Sequence, residues 1–345
     1  MTNTSFALQH QFVQRVLSQA HAPISPPKPQ GVGEAPVNIA LSKYWGKRDA
    51  VLNLPMNGSV SISLPGLGTH TTLGLINPAL NPTADLITLN QQKLSNDTPF
   101  AQRLSQFLSL FRPTPQDFFW VNTANSVPTA AGLASSASGY AALVLALDDL
   151  FGWQLPKTAL SLLARLGSGS ASRSLFNGFA LWHQGEQDDG MDSFAQEITT
   201  PWPELCVGLL KIDISQKSIS STAGMQQTVN TCALYQAWPT QANQDMQRIL
   251  QAIEEHDFTL LGQTAEHNAL TMHATMMATW PPIVYWQPQS VAAMHTVWAL
   301  RQQGVDVYFT MDAGPNLKLL FLETQTPAIK QAFADVSIIR PFNKS

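Results

Sequence analysis

The sequence predicts an α+β fold, and three observations point there. Stretches that alternate with a period of two sit among stretches with helical spacing, and no regular strand–helix repeat links them. The chain has 345 residues of which 44% are hydrophobic, enough for two domains or for one large one with a filled core. Only 12% of residues are charged, about half the ~25% usual in soluble domains, so charges in apolar surroundings carry information.

The elements follow in order. Phe6, Phe12, Val13, Val16 and Leu17 fall near helical spacing, and the Pro- and Gly-rich HAPISPPKPQGVG behind them reads as a linker. Residues 1–30 therefore form an N-terminal extension. NGSVSISL sets Val60, Ile62 and Leu64 against serines, as in a half-buried strand, and HTTLGLI and ADLITLN read as further short strands. Phe100, Leu104, Phe107, Leu108 and Phe111 make an amphipathic helix, and DFFWVNTANSVP returns to strand composition before Pro128. GYAALVLALDDLFG is apolar on nearly every face, which implies a buried helix, and TALSLLARLGSG is a second helix ending at Gly167. FNGFALWHQG and ELCVGLLKI read as strands. DMQRILQAIEEHDFTLLGQTAEHNAL and SVAAMHTVWALRQQG are helical, and VDVYFTMDAGPNLKLLFLE holds two strands.

Bulk properties narrow the function. Net charge is −4 with a pI near 6.0, and there is no basic tail or stripe, which argues against nucleic-acid or anionic-membrane binding as the main task. Cys206 and Cys232 lie outside any CxxC or Cys/His spacing, so neither a disulfide framework nor a zinc site is expected, and a reducing cytoplasm fits. No apolar run approaches the ~18–20 residues of a membrane span, and the first twenty residues lack the pattern of a signal peptide.

Five stretches carry chemistry. In PTAAGLASSASG, small residues including Ala131 and Gly132 let the backbone wrap closely around a ligand. Ser135 and Ser136 fall at the N-terminus of the buried helix, where free N–H groups attract phosphate and hydroxyls can ligate Mg²⁺. The stretch is not a GxxxxGK[ST] loop, and an ordinary helix cap is the alternative. LGSGSASRSLFNG repeats the device with Ser168, Gly169 and Ser170, followed by Arg173. An arginine among small and apolar residues needs an anionic partner, either a ligand carboxylate or phosphate or a structural Asp or Glu. In YFTMDAGPN, Asp312 closes a strand at a glycine turn, where it can receive a hydroxyl proton or simply form the turn. SSTAGMQQTV places Ser220, Ser221 and Thr222 before a helix, as cap or anion contact. NIALSKYWGKRD crowds Lys43, Lys47, Arg48 and Asp49 around Tyr44, Trp45 and Gly46, either as a solvated turn or as a polyanion clamp. Together these features suggest polyphosphate binding and phosphoryl transfer, in which positioning and charge neutralisation do most of the work.

NIALSKYWGKRD, PTAAGLASSASGYAALV, GSGSASRSLFNGF, DDGMDSFAQ, SSTAGMQQTV, HATMMATWPPIVY and FTMDAGPN occur in the order that resembles mevalonate diphosphate decarboxylases, within the GHMP kinase superfamily. The resemblance runs from about Ala35 to the C-terminus. It implies a two-domain α+β fold with the site in the interdomain cleft, an ATP-binding domain over 31–200 and a second domain over 201–345. It implies conversion of ATP and (R)-5-diphosphomevalonate to isopentenyl diphosphate, ADP, phosphate and CO₂, with Mg²⁺, in a cytoplasmic homodimer. By the same resemblance Asp312 faces the C3 hydroxyl, Arg173 holds the C1 carboxylate, and Lys47 lies near the transferring phosphate. Tyr44 and Ser221 meet the substrate diphosphate, and Ser168 and Ser170 line the substrate side. Ala131, Gly132, Ser135 and Ser136 hold the ATP phosphates, with Ser135 as the metal candidate. Three departures stand out: NGS at Asn57–Ser59, Thr222 where some relatives carry arginine, and only Lys93 or Arg103 as a further basic diphosphate contact. A 5-monophosphate decarboxylase, a mevalonate 3-kinase and a non-catalytic binding protein are the competing expectations.

Overall fold

The computed structural model describes residues 3–20, 25–126, 135–213 and 219–342. Ala131 and Gly132 lie outside the described residues, as does the side chain of Ser135.

The extension opens with α1 (Asn3–Leu17), whose Phe12, Val13 and Val16 are buried in the first core, in line with their spacing. β1 (Gly31–Ser42) follows, then the small antiparallel hairpin of β2 (Lys47–Asp49) and β3 (Leu54–Pro55), then β4 (Ser59–Leu75). β5 (Leu86–Leu89), β6 (Gln92–Lys93), α2 (Pro99–Leu108) and β7 (Phe119–Asn125) come next, followed by α3 (Ser135–Phe151), α4 (Lys157–Gly167), β8 (Phe179–Trp182) and β9 (Ala195–Ile198). The second half runs β10 (Leu205–Leu209), α5 (Ser221–Thr231), α6 (Trp238–Glu255), α7 (Phe258–Met277) and α8 (Pro288–Gln302). It closes with β11 (Val307–Met311), β12 (Leu317–Leu322), α9 (Thr326–Ala332) and β13 (Ser337–Ile339).

The expected α+β class holds. Among the described residues one sheet runs β6-β5-β7-β4-β8-β9 with β1 paired antiparallel to β4, and another runs β11-β12-β10-β13. The two short strands expected around Val60 and Leu73 are one long strand, β4. A register shift between Pro36 and Val37 leaves Pro65, Gly66 and Leu67 without partners on β1, and the pairing resumes at Gly68, so the strand bends there and continues. The long helical stretch after Trp238 divides at His256, which has φ +53, and Asp257 caps the next helix by accepting from the Leu260 amide at 2.9 Å.

Helix α3 lies directly on β1. A Cβ at Gly33 would sit 2.1 Å from the Ala142 carbonyl, so the contact requires glycine there. One hydrophobic cluster then bridges the two sheets. Ile39, Leu41, Val60 and Ile62 from β1 and β4 meet Ile249, Leu261, Val207 and Leu320 from the second half. Burial of each such side chain contributes about 1.5–3 kcal/mol, so this shared core fixes the cleft walls against each other.

Candidate active site

The site grows from the end of β1, and KYWGK shows how. The Lys43 amide donates to Asn268 Oδ1 on α7 at 2.7 Å, and the Lys43 carbonyl accepts from Asn57 Nδ2 at 2.8 Å. Asn268 is held in turn by Asp245 on α6 at 3.0 Å. Trp45 is buried among Met225, Tyr235, Met272 and Tyr285, and its indole donates to Thr228 Oγ1 at 3.1 Å. Gly46 turns the chain at φ +105 beneath Tyr235, whose hydroxyl donates to the Trp45 carbonyl at 2.8 Å. A Cβ at Gly46 would collide with that hydroxyl. The aromatic pair and glycine therefore anchor the strand end, and the two lysines are sent in different directions.

Lys43, rather than Lys47, meets Asp312. Its Nζ lies 3.0 Å from Asp312 Oδ1 and donates to the Ala40 carbonyl at 2.7 Å, with the side chain only 2% exposed. Lys47, expected near the transferring phosphate, sits on the β2–β3 hairpin and donates to Asn53 Oδ1 at 2.5 Å. Asn53 is fixed by the Arg165 and Leu166 carbonyls at 3.0 and 2.9 Å, so Lys47 lines the same cavity from its rim. The register of β1 and the Gly46 turn decide which lysine points inward.

Asp312 follows β11 directly. A third group, Lys318 on β12, reaches its other oxygen, Oδ2, at 3.1 Å. Sequence reading missed Lys318, because in NLKLLFL it looks like an ordinary outward strand residue. The turn-forming alternative for Asp312 fails, since both carboxylate oxygens are bound by lysines instead of by its own loop. Burial opposes ionisation of Asp312, but Lys318 and Lys43 outweigh it and hold the carboxyl well below the usual range. Burial likewise lowers Lys43 to about 8; Asp312 resists that fall, and the nearby Lys318 and Arg173 add to it. His273 on α7 donates from Nε2 to the Asp312 carbonyl at 3.0 Å, and its burial pushes it down to about 3, so it is neutral near pH 7.

Arg173 is 2% exposed and sits in a short 3-10 segment, Gly169–Leu175. It donates to Ser59 Oγ and, at 3.4 Å, to Asn38 Oδ1, and its Nε has no partner among the described residues. No Asp or Glu forms an ion pair with it among the described residues, so the structural salt-bridge alternative fails. Burial lowers its pKa to about 10, with Asp312 and Tyr44 opposing. A buried guanidinium held only by neutral groups is an anion receptor. Tyr44 stands edge-on to Trp182 with centroids 4.8 Å apart; its hydroxyl is buried with no partner among the described residues, and burial pushes its pKa up.

One cavity of about 290 Å³ brings these groups together. Lys43, Tyr44, Lys47, Arg173 and Asp312 line it, along with Ser168, Ser170 and Ser221. The Ser168 and Ser170 hydroxyls are 3.2 Å apart. Ser220, not Ser221, caps α5, accepting from the Ala223 amide at 3.2 Å, which leaves Ser221 and the adjoining Thr222 to the cavity. Ser136, at the start of α3, also lines it. A neighbouring cavity of about 320 Å³ shares Arg103, Ser136 and Tyr140 and extends past Thr69, Thr71 and Phe100. No sequence motif pointed to this second space. Arg103 thus faces both cavities, whereas Lys93 is exposed on β6 and lines neither. Among the described residues no group of three His, Cys, Asp or Glu side chains could hold a metal ion.

Comparison with known proteins agrees with this geometry. Residues 35–195 match the diphosphomevalonate decarboxylase-like N-terminal domain, and residues 209–341 match the mevalonate 5-diphosphate decarboxylase C-terminal domain. The chain is 39% identical to the diphosphomevalonate decarboxylase of Aspergillus fumigatus over 86% of its length and 77% of that protein. It is 37% identical to that of Saccharomyces cerevisiae, over 84% and 76% respectively. The crystal structure of mevalonate diphosphate decarboxylase from Staphylococcus aureus superposes with a TM-score of 0.84 at 36% identity, covering 90% of this chain and 95% of the other. The structure of MDDEF in complex with MVAPP, AMPPCP and magnesium gives a TM-score of 0.84 at 39% identity, over 91% and 97%. With the motifs, the fold and both halves of the cleft in agreement, the chain belongs to the diphosphomevalonate decarboxylase family.

Proposed function

We propose that this chain converts (R)-5-diphosphomevalonate and ATP to isopentenyl diphosphate, ADP, phosphate and CO₂, with the chemistry seated in the cavity around Asp312. The observation that carries the reading is Arg173, a buried cation without an acidic partner among the described residues, facing the same cavity as a carboxylate gripped by lysines. Such a site needs a ligand with both a carboxylate and phosphates.

The residues divide the work. Asp312 accepts the C3 hydroxyl in a hydrogen bond and aims its oxygen at the γ-phosphoryl group. Its low basicity makes orientation and charge its main contributions, and it stabilises positive charge developing at C3 as the new phosphate leaves. Lys43 and Lys47 neutralise the phosphoryl oxygens. Arg173 holds the C1 carboxylate so that the C1–C2 bond lies along the emptying orbital at C3. The electrons of that bond become the C2–C3 alkene as CO₂ departs. Tyr44 and Ser221 take the diphosphate, Ser168 and Ser170 line the substrate, and Ser136 meets the ATP phosphates. The second cavity, next to Ser136, has room for the nucleoside.

Mg²⁺ fits this site as a passenger of the nucleotide. Asp312 has both oxygens engaged by lysines, and hydroxyls such as Ser136 are the remaining protein ligands, so phosphate oxygens and water would complete its shell. When bound, it neutralises the β- and γ-phosphates. Ser135 remains a candidate ligand on the family resemblance.

The family matches support a division into 31–200 and 201–345, and the resemblance supports a cytoplasmic homodimer. The net charge of −4 speaks against nucleic acid as a partner. No described helix is long and apolar enough to cross a membrane. The deciding experiment mixes purified protein, ATP, Mg²⁺ and 5-diphosphomevalonate and follows ADP and CO₂ together. Equal release of both is expected. ADP without CO₂ would make the protein a 3-kinase and overturn the carboxylate role of Arg173. Turnover of the 5-monophosphate alone would overturn the diphosphate assignment.

A further inference from the structure

We propose that Lys318 is a positioning residue for this site, the second ammonium of a Lys43–Asp312–Lys318 bridge that keeps Lys43 available to the transferring phosphoryl group. The inference rests on the proposed function for the phosphoryl group and on geometry for the bridge itself.

Lys318 is an interior lysine. Its side chain is 3% exposed, and it projects from the middle strand of the second sheet, where it pairs with Thr310 on one side and Leu209 on the other. Burying an ammonium in a sheet is costly, and the position would take a valine or leucine at less cost. What the charge achieves is visible at Asp312. Lys43 takes Oδ1 at 3.0 Å and Lys318 takes Oδ2 at 3.1 Å, so the carboxylate plane is held from both edges. A third contact, from Lys318 Nζ to the Asn316 carbonyl at 3.3 Å, fixes the lysine itself.

One negative charge therefore serves two buried ammoniums. Were position 318 neutral, Asp312 and Lys43 would close into a one-to-one ion pair. Lys43 would then be satisfied by the protein, with little attraction left for a phosphoryl oxygen. With Lys318 present, Lys43 is under-compensated and its free valence faces the cavity. The groups around Lys43 are Asp312 from the β11–β12 turn, Lys318 from β12, Arg173 from the 3-10 segment, and His273 from α7. Of these, Lys318 and Arg173 favour loss of the Lys43 proton, Asp312 favours its retention, and His273 is neutral above about pH 4.

The test is the alkaline limb of kcat/KM, which reports the unliganded enzyme, in wild type, Lys318→Met and Lys318→Arg. Wild type should lose activity as pH rises past about 8, as Lys43 deprotonates. In Lys318→Met the limb should move upward by about one pH unit, because a like charge has gone, while kcat at pH 7 falls at least about tenfold. Lys318→Arg should restore the limb to the wild-type position. A lower kcat in Lys318→Met with the limb unmoved would reduce Lys318 to a structural role and overturn the proposal. Should Lys318→Met fail to fold, Lys318→Gln is read in the same way. Titration of Lys43 by ¹³C NMR with ε-labelled lysine needs no turnover. If wild type releases neither ADP nor CO₂, the functional reading falls, and the NMR shift between wild type and variant still decides for or against the bridge.

Discussion

Asp312→Asn is the sharpest perturbation of this site, since it removes one charge and almost no volume. The amide keeps one oxygen that can accept from either lysine, at the distance of 3.0 or 3.1 Å now seen, but its NH₂ must then face the other ammonium. Two donors would point at one another, and Lys43 and Arg173 in the cavity, with Lys318 behind them, would be left with no anion. Removing one partner of a buried ion pair costs about 3–5 kcal/mol. Here the lower end applies, because the Asp312 side chain is 27% exposed and Lys43, already at about 8, can shed its proton. A loss of about 3 kcal/mol in urea unfolding is expected in the absence of ligand. Turnover should fall by about 10²–10³, the range for removing one preorganised electrostatic contact to the reacting centre. Affinity for anionic ligands should hold or rise, because the cavity gains a net positive charge. The assays are ADP release under saturating ATP and substrate, and ligand binding by calorimetry. Turnover within about threefold of wild type would refute the role given to Asp312. Weaker anion binding in the variant would refute the electrostatic account.

Two further outcomes follow from the same geometry. Arg173→Gln should lower kcat by about 10²-fold or more through lost carboxylate alignment, with little loss of ATP affinity; Arg173→Lys should not restore it, because a point charge cannot replace a planar fork. Unchanged turnover in Arg173→Gln would sink the carboxylate contact. Polyphosphate binding should raise the pKa of Lys43 from about 8, so between pH 8 and 9 the complex takes up protons. Calorimetry of a non-hydrolysable ATP analogue with substrate, in buffers of different ionisation enthalpy, would show that uptake. Proton release in this window would contradict the placement of Lys43.

The local features of this protein are written in its sequence. Val60, Ile62 and Leu64 announced their strand, the apolar run after Gly139 announced a buried helix, and Phe12, Val13 and Val16 announced α1. Arg173 among small residues and Asp312 at a strand end marked the site, because an arginine in apolar surroundings and a strand-end acid are local signals. The partners of those residues were not legible. Lys43 and Lys47 stand four apart in one charged stretch, and only the register of β1 with the turn at Gly46 sends the first inward and the second to the rim. Lys318 carried no signal at all, since alternation alone cannot say what faces a strand residue. The pairing of Thr310 with Lys318 brings the ammonium to Asp312, and the shared core brings Lys43 to it from 269 residues away. Periodicity and turn chemistry act over a few residues, so sequence determines the elements and the exceptional side chains. Charge pairing acts through space, so only the packed structure determines which charges meet.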